Sequence, residues 1–202
     1  MSDDRKREGG ANVKTWSQMY ANVHGSRRLL EGNILANAPF VEELGRLCKA
    51  DSKVLEVGTG TGVLTWPLAQ SGIKVVSIDN DREILNMAQI NAKLLGADIE
   101  FQFADAFHLP FPDDSFDLAF SHGLIEHFPD DDIRALLNEQ FRVAPLVVVG
   151  VPTDECRGGF KGDERLLSVE AWMTFLNVNP VANVVIYQDG WMLCVTLARW
   201  TA

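Results

Sequence analysis

The chain is poor in cysteine, in basic residues and in long apolar runs. Its three cysteines, Cys48, Cys156 and Cys194, are an odd number without metal-binding spacing, which argues against a disulfide framework and favours a reducing compartment. Lysine and arginine number 18 against 28 acidic residues, so we expect no nucleic-acid partner. No apolar run reaches the roughly 18 residues of a membrane span, and the charged N-terminus lacks a signal-peptide core. We therefore expect a cytoplasmic protein without a membrane span.

What the chain does contain is enough apolar sequence for one domain. Of its 202 residues, 47% are hydrophobic, which suffices for one sizeable core but not for two domains of ordinary size. We predict a disordered polar head at residues 1–12 and a single domain at 13–202. Within that domain, a helical segment at 13–50 precedes a core at 53–202. The sequence carries no signal for an oligomeric state.

The stretch VLEVGTGTGV, from Val54 to Val63, is the most informative part of the chain. A short β-branched apolar run, typical of a buried strand, leads into glycines at positions 58, 60 and 62, where the strand must turn into a helix. Glycine permits the tight turn and lets a ligand contact the backbone. The pattern predicts a nucleotide-cofactor loop. Its spacing is GxGxG and not the dinucleotide GxGxxG, because Val63 stands where the third glycine would be.

Strands and helices alternate along the rest of the core, which predicts an α/β fold with a parallel sheet and helices on both faces. The predicted strands are Lys53–Val57, Ile73–Ile78, Ile99–Phe103, Phe116–Ser121 and Leu146–Gly150, and the predicted helices are Val63–Gln70, Arg82–Leu95 and Asp131–Arg142. A helix at Ser168–Asn177 and two strands, Val181–Gln188 and Trp191–Arg199, follow, with a hairpin turn at Asp189-Gly190. Ahead of the sheet we predict helices at Val13–His24 and Ser26–Ala50, the second interrupted near Pro39.

Carboxylates follow the first two strands, at the edge where open α/β sheets bind ligands. Glu56 stands just before the glycines, and Asp79 follows the second strand. Three later segments complete the pattern: Asp105-Ala106 after the third strand, LPFPDDSFD at Leu109–Asp117 and SHGLIEHF at Ser121–Phe128. In this order, between Lys53 and Pro152, the motifs resemble those of the class I S-adenosylmethionine-dependent methyltransferases. The resemblance is to the small-molecule branch that includes the ubiquinone and menaquinone biosynthesis enzymes.

The resemblance implies a Rossmann-like, mostly parallel sheet of seven strands with an antiparallel C-terminal hairpin. It implies S-adenosylmethionine as cofactor and S-adenosylhomocysteine as product. The loop residues Gly58, Thr59, Gly60 and Gly62 would then approach the amino acid and ribose portions of the cofactor through their backbone. Glu56, beneath the loop, would either orient it by accepting backbone N–H bonds or face the ammonium group of the ligand.

Two further acids receive cofactor roles from the resemblance, each with a structural alternative. Asp79 would accept both ribose hydroxyls while Asn80 packs against adenine. The alternative for Asp79 is a helix cap, for which Asp81 is the better candidate. Asp105 would accept the adenine amine while the backbone of Ala106 meets a ring nitrogen, or Asp105 would simply form a turn.

The segment after the fourth strand would lie where the methyl group points. Ser121, His122, Glu126 and His127 are the candidates near the reaction centre, and Ser121 is assigned to cofactor binding. His122 and His127 are catalytic candidates, because imidazole can take a proton from a hydroxyl or an amine near neutral pH. Both could instead pack beside the cofactor, since a sulfonium leaves readily and positioning alone accelerates transfer.

Signatures of several other activities are missing. No [DN]PP[YFW] follows the fourth strand, which argues against methylation of adenine or of glutamine amides. Val63 and the lack of a YxxxK pair disfavour a nicotinamide-dependent oxidoreductase, and Cys156 lacks the context of the cytosine C5 enzymes. Asp130–Asp132 directly precede a helix whose N-terminal dipole suits them, so we predict no metal site.

We therefore expect methyl transfer to an oxygen, nitrogen or carbon nucleophile of a small molecule, by direct displacement without a metal. Two alternatives remain open: a non-catalytic module that binds S-adenosylmethionine, and a methyltransferase with a protein substrate. Trp16, Tyr20 and His24, at four-residue spacing, form either one face of a lid over the cofactor or part of the core. The segment Thr153–Arg165 is either a mobile loop beside the acceptor or an ordinary surface loop.

Overall fold

A computed structural model describes residues 16–20, 25–156, 164–177 and 179–200 of the chain. The predicted disordered head at 1–12, His24 and most of the predicted loop after Cys156 lie outside these residues. None of the helices in the described ranges combines the length and the apolar character needed to traverse a bilayer.

The strands form one sheet of seven in the order β3-β2-β1-β4-β5-β7-β6. The strands are β1 (Lys53–Val57), β2 (Lys74–Asp79), β3 (Glu100–Phe103), β4 (Leu118–His122), β5 (Leu146–Pro152), β6 (Val181–Tyr187) and β7 (Met192–Ala198). The first five pair in parallel, whereas β7 lies antiparallel between β5 and β6. The predicted mostly parallel sheet with an inserted antiparallel hairpin is confirmed.

Helices cover both faces of this sheet, as predicted. They are α1 (Trp16–Tyr20), α2 (Arg27–Ala36), α3 (Ala38–Leu47), α4 (Trp66–Gln70), α5 (Arg82–Leu95), α6 (Asp130–Val143) and α7 (Val169–Leu176). On one face Phe40 and Leu44 of α3 pack with Phe120 of β4, and on the other Leu136 of α6 and Trp172 of α7 pack on β5 and β7. Burial of large apolar side chains on both faces holds the carboxyl edge of the parallel strands in place.

Local signals explain where the helices begin and end. Helix α5 has its predicted bounds because the Asp81 carboxylate accepts the backbone N–H of Glu83 at 2.8 Å, and Gly96 ends the helix with φ +71°. Helix α4 starts at Trp66 and not at Val63, since the chain is still turning between these residues. The predicted helix Ser26–Ala50 is divided at Asn37, two residues before Pro39, which sits in the first turn of α3.

Candidate functional site

The loop after β1 is held against β2 by its backbone. The N–H groups of Gly58 and Thr59 both donate to the carbonyl of Ile78 at 3.0 Å. Gly58, Gly60 and Gly62 all have positive φ, between +50° and +81°, a conformation that residues with a Cβ rarely adopt. The three predicted glycines are therefore required by the turn itself.

The three glycines face different surroundings. A Cβ on Gly62 would lie 2.8 Å from the Cβ of Ala88, so this glycine lets the loop pack closely on α5. A Cβ on Gly58 would lie 3.2 Å from a methyl group of Leu124. A Cβ on Gly60 would lie 3.2 Å from the hydroxyl oxygen of Tyr20. Gly60 thus lies on the side from which a ligand would approach the loop. Gly62 instead allows helix α5 to pack closely on the loop.

Glu56 lies fully buried beneath the loop and is joined to it by side chains. Its Oε2 atom accepts a hydrogen bond from the Thr59 hydroxyl at 3.1 Å and a short one from the Ser77 hydroxyl. Burial raises the pKa of Glu56 to about 8, although the hydroxyl bonds from Ser77 and Thr59 act against this rise and the nearby Asp79 adds to it. The carboxyl group orients the loop through the hydroxyl of Thr59, which is buried and points inward.

Asp79 ends β2 beside the loop, and the helix-capping role belongs to Asp81. The Oδ1 atom of Asp79 accepts the backbone N–H of Asp81 at 3.0 Å, and its side chain is only partly buried. Burial raises the pKa of Asp79, while backbone N–H groups of Asp81 and Gly60 act in the opposite direction. Asn80, next in the chain, is exposed. Asp79 therefore presents a carboxylate at the carboxyl edge of β2, where it was predicted.

Asp105 and Ala106 follow β3 in a tight turn. The Oδ1 atom of Asp105 accepts the backbone N–H of Phe107 at 2.9 Å, and Oδ2 lies 3.4 Å from Nδ1 of His108. The turn-forming role that was left open for Asp105 is therefore observed for one of its oxygens. The side chain remains 54% exposed, and its role toward adenine stays a prediction, as does that of the partly buried Ala106.

Ser121 and His122 at the end of β4 are packed into the wall of the sheet. Ser121 is buried, and its Oγ atom has no hydrogen-bond partner among the described residues. The Nε2 atom of His122 lies 2.8 Å from the Tyr187 hydroxyl, and its ring meets the Phe40 ring edge-on at 4.8 Å. Burial lowers the pKa of His122 to about 4. His122 is thus neutral at neutral pH and already engages one ring nitrogen, which makes it a weak base.

His127 lies beneath α1. Its ring meets that of Trp16 edge-on at a centroid distance of 4.8 Å, and its Nε2 atom is 3.8 Å from Oε1 of the buried Glu126. Only 9% of the His127 side chain is exposed. This geometry matches the packing role that was left open for His127, and its catalytic role stays a prediction.

Tyr20 of α1 reaches into the centre of the site. Its hydroxyl lies over Gly60, and its ring is stacked on that of Trp16 at a centroid distance of 6.1 Å. Burial raises the pKa of Tyr20 to about 12, and the charges of Glu126, Asp79 and Glu56 add to the rise. Three carboxyl groups from three different segments therefore act electrostatically on one phenol.

Two residues of the site were not among the predicted catalytic or cofactor-binding residues. Tyr20 was expected only as a lid or core residue, and the four-residue spacing from Trp16 was its only signal. Asn91 is fully buried on α5, where its Nδ2 donates to the Thr61 carbonyl at 2.9 Å and its Oδ1 accepts the Gly25 N–H at 3.0 Å. A buried asparagine on the apolar face of a helix is the signal that could have revealed this link.

The site is rich in hydrogen-bond acceptors. Carboxyl groups of Glu56, Asp79 and Glu126 supply them, while the loop supplies a backbone that a ligand can approach at Gly60. Such a set suits a ligand with hydroxyl donors and positive charge. Within the described ranges, no three His, Cys, Asp or Glu side chains are grouped so that they could hold a metal ion.

Comparisons with known proteins agree on one family. A family profile described as a methyltransferase domain matches residues 54–145. The chain is 32% identical over 182 residues to the uncharacterized methyltransferase YcgJ of Bacillus subtilis, covering 79% of this chain and 70% of that protein. It is 36% identical over 109 residues to an uncharacterized protein of Mycobacterium bovis, covering 54% of this chain and 39% of that relative's length. A crystal structure of a SAM dependent methyltransferase from Aquifex aeolicus shares the fold with a TM-score of 0.69 and 23% identity, covering 91% and 98% of the two chains.

Proposed function

Because this chain belongs to the class I S-adenosylmethionine-dependent methyltransferases, we propose that it binds S-adenosylmethionine and transfers its methyl group to an oxygen, nitrogen or carbon nucleophile of a small molecule. The observation that carries the proposal is the positive-φ glycine loop after β1, held against the end of β2 and flanked there by the Asp79 carboxylate. When bound, the cofactor supplies a sulfonium with an electrophilic methyl group. The protein would supply the binding and the orientation.

The residues of the site fit this cofactor. Because Gly60 has no side chain, a ligand can approach the loop backbone at this position, in space that a Cβ would take up. Asp79 is partly accessible and would accept the ribose hydroxyls. The Asp79 carboxylate favours a ligand that carries an ammonium or a sulfonium group, because opposite charges attract strongly where water is scarce. Glu56 would act from below by holding Thr59 and thereby the loop.

Positioning would account for most of the catalysis. The low pKa of His122 and its contact with Tyr187 make it a poor proton acceptor near neutral pH. Holding the two reactants in line can by itself lower the barrier by several kcal/mol, on the order of 7 or more in well-oriented systems. Support for a small acceptor comes from the resemblance of the motifs between Lys53 and Pro152 to the small-molecule branch of the family.

Isothermal titration calorimetry with S-adenosylmethionine, S-adenosylhomocysteine and NAD tests the proposal. We expect saturable binding of the first two ligands and none of NAD. Asp79→Asn should weaken binding by about tenfold or more, the usual loss for a hydrogen bond to a charged group. Asp98→Asn is the matched control, since Asp98 is exposed just ahead of β3, at the opposite edge of the sheet, and should bind like the wild type.

The outcomes separate the proposal from its alternatives. Binding followed by methyl transfer to small hydroxyl, amine or carbon acceptors would support it. Binding without transfer to any small acceptor would favour the non-catalytic module or a protein substrate. No binding by demonstrably folded protein, or equal affinity in Asp79→Asn and the wild type, would contradict the placement of the cofactor.

A further inference from the structure

We propose that Tyr20 occupies the place of the cofactor in the ligand-free protein, so that α1 must withdraw before S-adenosylmethionine can enter. The inference rests on the proposed function, because it concerns the same site. It differs from a simple lid, which would close over a bound ligand and strengthen its binding. Here the phenol and the ligand exclude one another.

The position of the phenol is the first argument. A Cβ built on Gly60 would lie 3.2 Å from the hydroxyl oxygen of Tyr20, 3.5 Å from its Cζ atom and 3.7 Å from Cε2. The edge of the ring therefore lies directly over the open side of the loop. The other two loop glycines face Leu124 and Ala88, so Gly60 is the loop glycine that Tyr20 covers. Two groups cannot share this space.

The chemistry around the phenol is the second argument. The charges of Glu126, Asp79 and Glu56 all add to the rise in the pKa of Tyr20, so its ring lies within electrostatic reach of the acids of the site. A ribose of the cofactor would bring its hydroxyl groups to the same acids. The ring thus fills space that the ligand would take, beside the residues that would bind it. While the ligand is absent, the ring fills the pocket, so the carboxyl groups do not face an empty space with little water.

The attachment of α1 is the third argument. The helix has five residues, which is too short for a stable helix by itself, so it depends on the contacts of its side chains. One of these contacts is aromatic, the edge-on contact of Trp16 with the His127 ring, whereas Tyr20 stacks on Trp16 within the helix itself. The chain is fastened again at Gly25, whose N–H donates to Asn91. Withdrawal of α1 therefore breaks a few contacts and leaves the loop and α5 intact.

The kinetics of binding test the inference. S-adenosylhomocysteine is mixed with the protein in a stopped-flow instrument, and tryptophan fluorescence is followed, since Trp16 lies on the moving helix. If opening precedes binding, the observed rate in the wild type reaches a plateau as ligand concentration rises. Tyr20→Ala should bind faster than the wild type, by about tenfold if the open form becomes dominant, because only the open fraction of the protein can take up the ligand.

Two further variants make the test specific. Tyr20→Phe keeps the ring and should keep the slow, saturating rate of the wild type. Trp16→Ala removes the edge-on contact with His127 and should tighten binding in calorimetry while Tyr20 remains, which covers the case in which Tyr20→Ala fails to fold. Slower or weaker binding by Tyr20→Ala than by Tyr20→Phe would overturn the inference, because Tyr20 would then be a contact to the ligand.

A spectroscopic measurement reports on Tyr20 directly. The chain has 2 tyrosines, and burial raises the pKa of both Tyr20 and Tyr187. At pH about 10.5 a solvated tyrosine is largely ionised, so the free protein should show little tyrosinate absorbance, and saturation with S-adenosylhomocysteine should release the signal of one residue. An unchanged signal at saturation would overturn the inference with the proposed function intact. Lack of binding by both the wild type and Tyr20→Ala would overturn the two together.

Discussion

Glu56 should make the stability of this protein fall as pH rises. Burial raises the pKa of Glu56 from 4.5 to about 8 in the folded chain. A carboxyl group that is harder to ionise in the folded state than in the unfolded state does not lower the free energy of unfolding below pH 4.5, because it is protonated in both states there. Its cost grows between 4.5 and 8, as the unfolded chain releases the proton that the folded chain retains. The contribution of Glu56 to stability is therefore greatest in acid and is lost with rising pH.

The size of the effect follows from the two pKa values. Each pH unit between them corresponds to about 1.4 kcal/mol, so the free energy of unfolding is lower by about 3 kcal/mol at pH 7, and by about 5 kcal/mol above pH 8, than it is below pH 4.5. Glu56→Gln removes the titration while it keeps an oxygen acceptor for Thr59 and Ser77. The variant should therefore gain stability over the wild type as pH rises.

Urea denaturation at pH 5, 7 and 8.5 measures this difference. We expect Glu56→Gln to differ from the wild type least at pH 5 and to exceed it by at least about 2 kcal/mol at pH 8.5, a conservative share of the full effect. Glu100→Gln is the control, because Glu100 is exposed on the edge strand β3, and its offset from the wild type should be the same at every pH. Parallel pH profiles for Glu56→Gln and the wild type would refute the reasoning.

Three other predictions concern the rest of the site. Gly60→Val should abolish S-adenosylhomocysteine binding in calorimetry, because φ +50° is strained for valine and its side chain would fill the space beside the loop that the ligand needs; an unchanged affinity would contradict the placement of the ligand. His122→Ala should lower the free energy of unfolding by about 1 to 3 kcal/mol, since the buried Tyr187 hydroxyl loses its partner, yet it should leave cofactor affinity unchanged; weaker binding in calorimetry would place His122 against the ligand. Ser121→Ala should cost less than about 0.5 kcal/mol in thermal or urea unfolding, because the buried Oγ forms no hydrogen bond within the described part of the chain; a larger loss would indicate a partner for this hydroxyl.

The parts of the fold that could be predicted are those with local causes. Helix α5 was predicted at its observed bounds, because its capping aspartate and its terminal glycine both stand in the adjacent sequence. The division at Asn37 was predicted near Pro39, and Pro39 itself is accommodated in the first turn of α3. The inserted position of β7 came from the family resemblance, because hydrophobic alternation carries no information about strand order.

The acidic residues of the site could be predicted from the sequence, but the side chains that surround them could not. Glu56 and Asp79 stand at fixed places after strands, so the motif was enough to find them. The low pKa of His122 comes from burial, and the side chains packed against it include Tyr187, 65 residues further along, and Phe40. The position of Tyr20 over Gly60 likewise depends on how α1 packs, and neighbouring sequence does not encode such long-range contacts.

The order of the strands has a consequence for synthesis on the ribosome. When the chain has been made as far as Tyr187, β6 has no partner, because it pairs only with the later strand β7. Until then the other edge of β5, an uncharged run of LVVVGVP, is also open along its seven residues. If synthesis pauses in the hairpin turn, the nascent chain would thus expose the apolar strand β5 with one edge unpaired. Such an edge is prone to aggregation or to binding by a chaperone. Emergence of Met192–Ala198 pairs both edges at once.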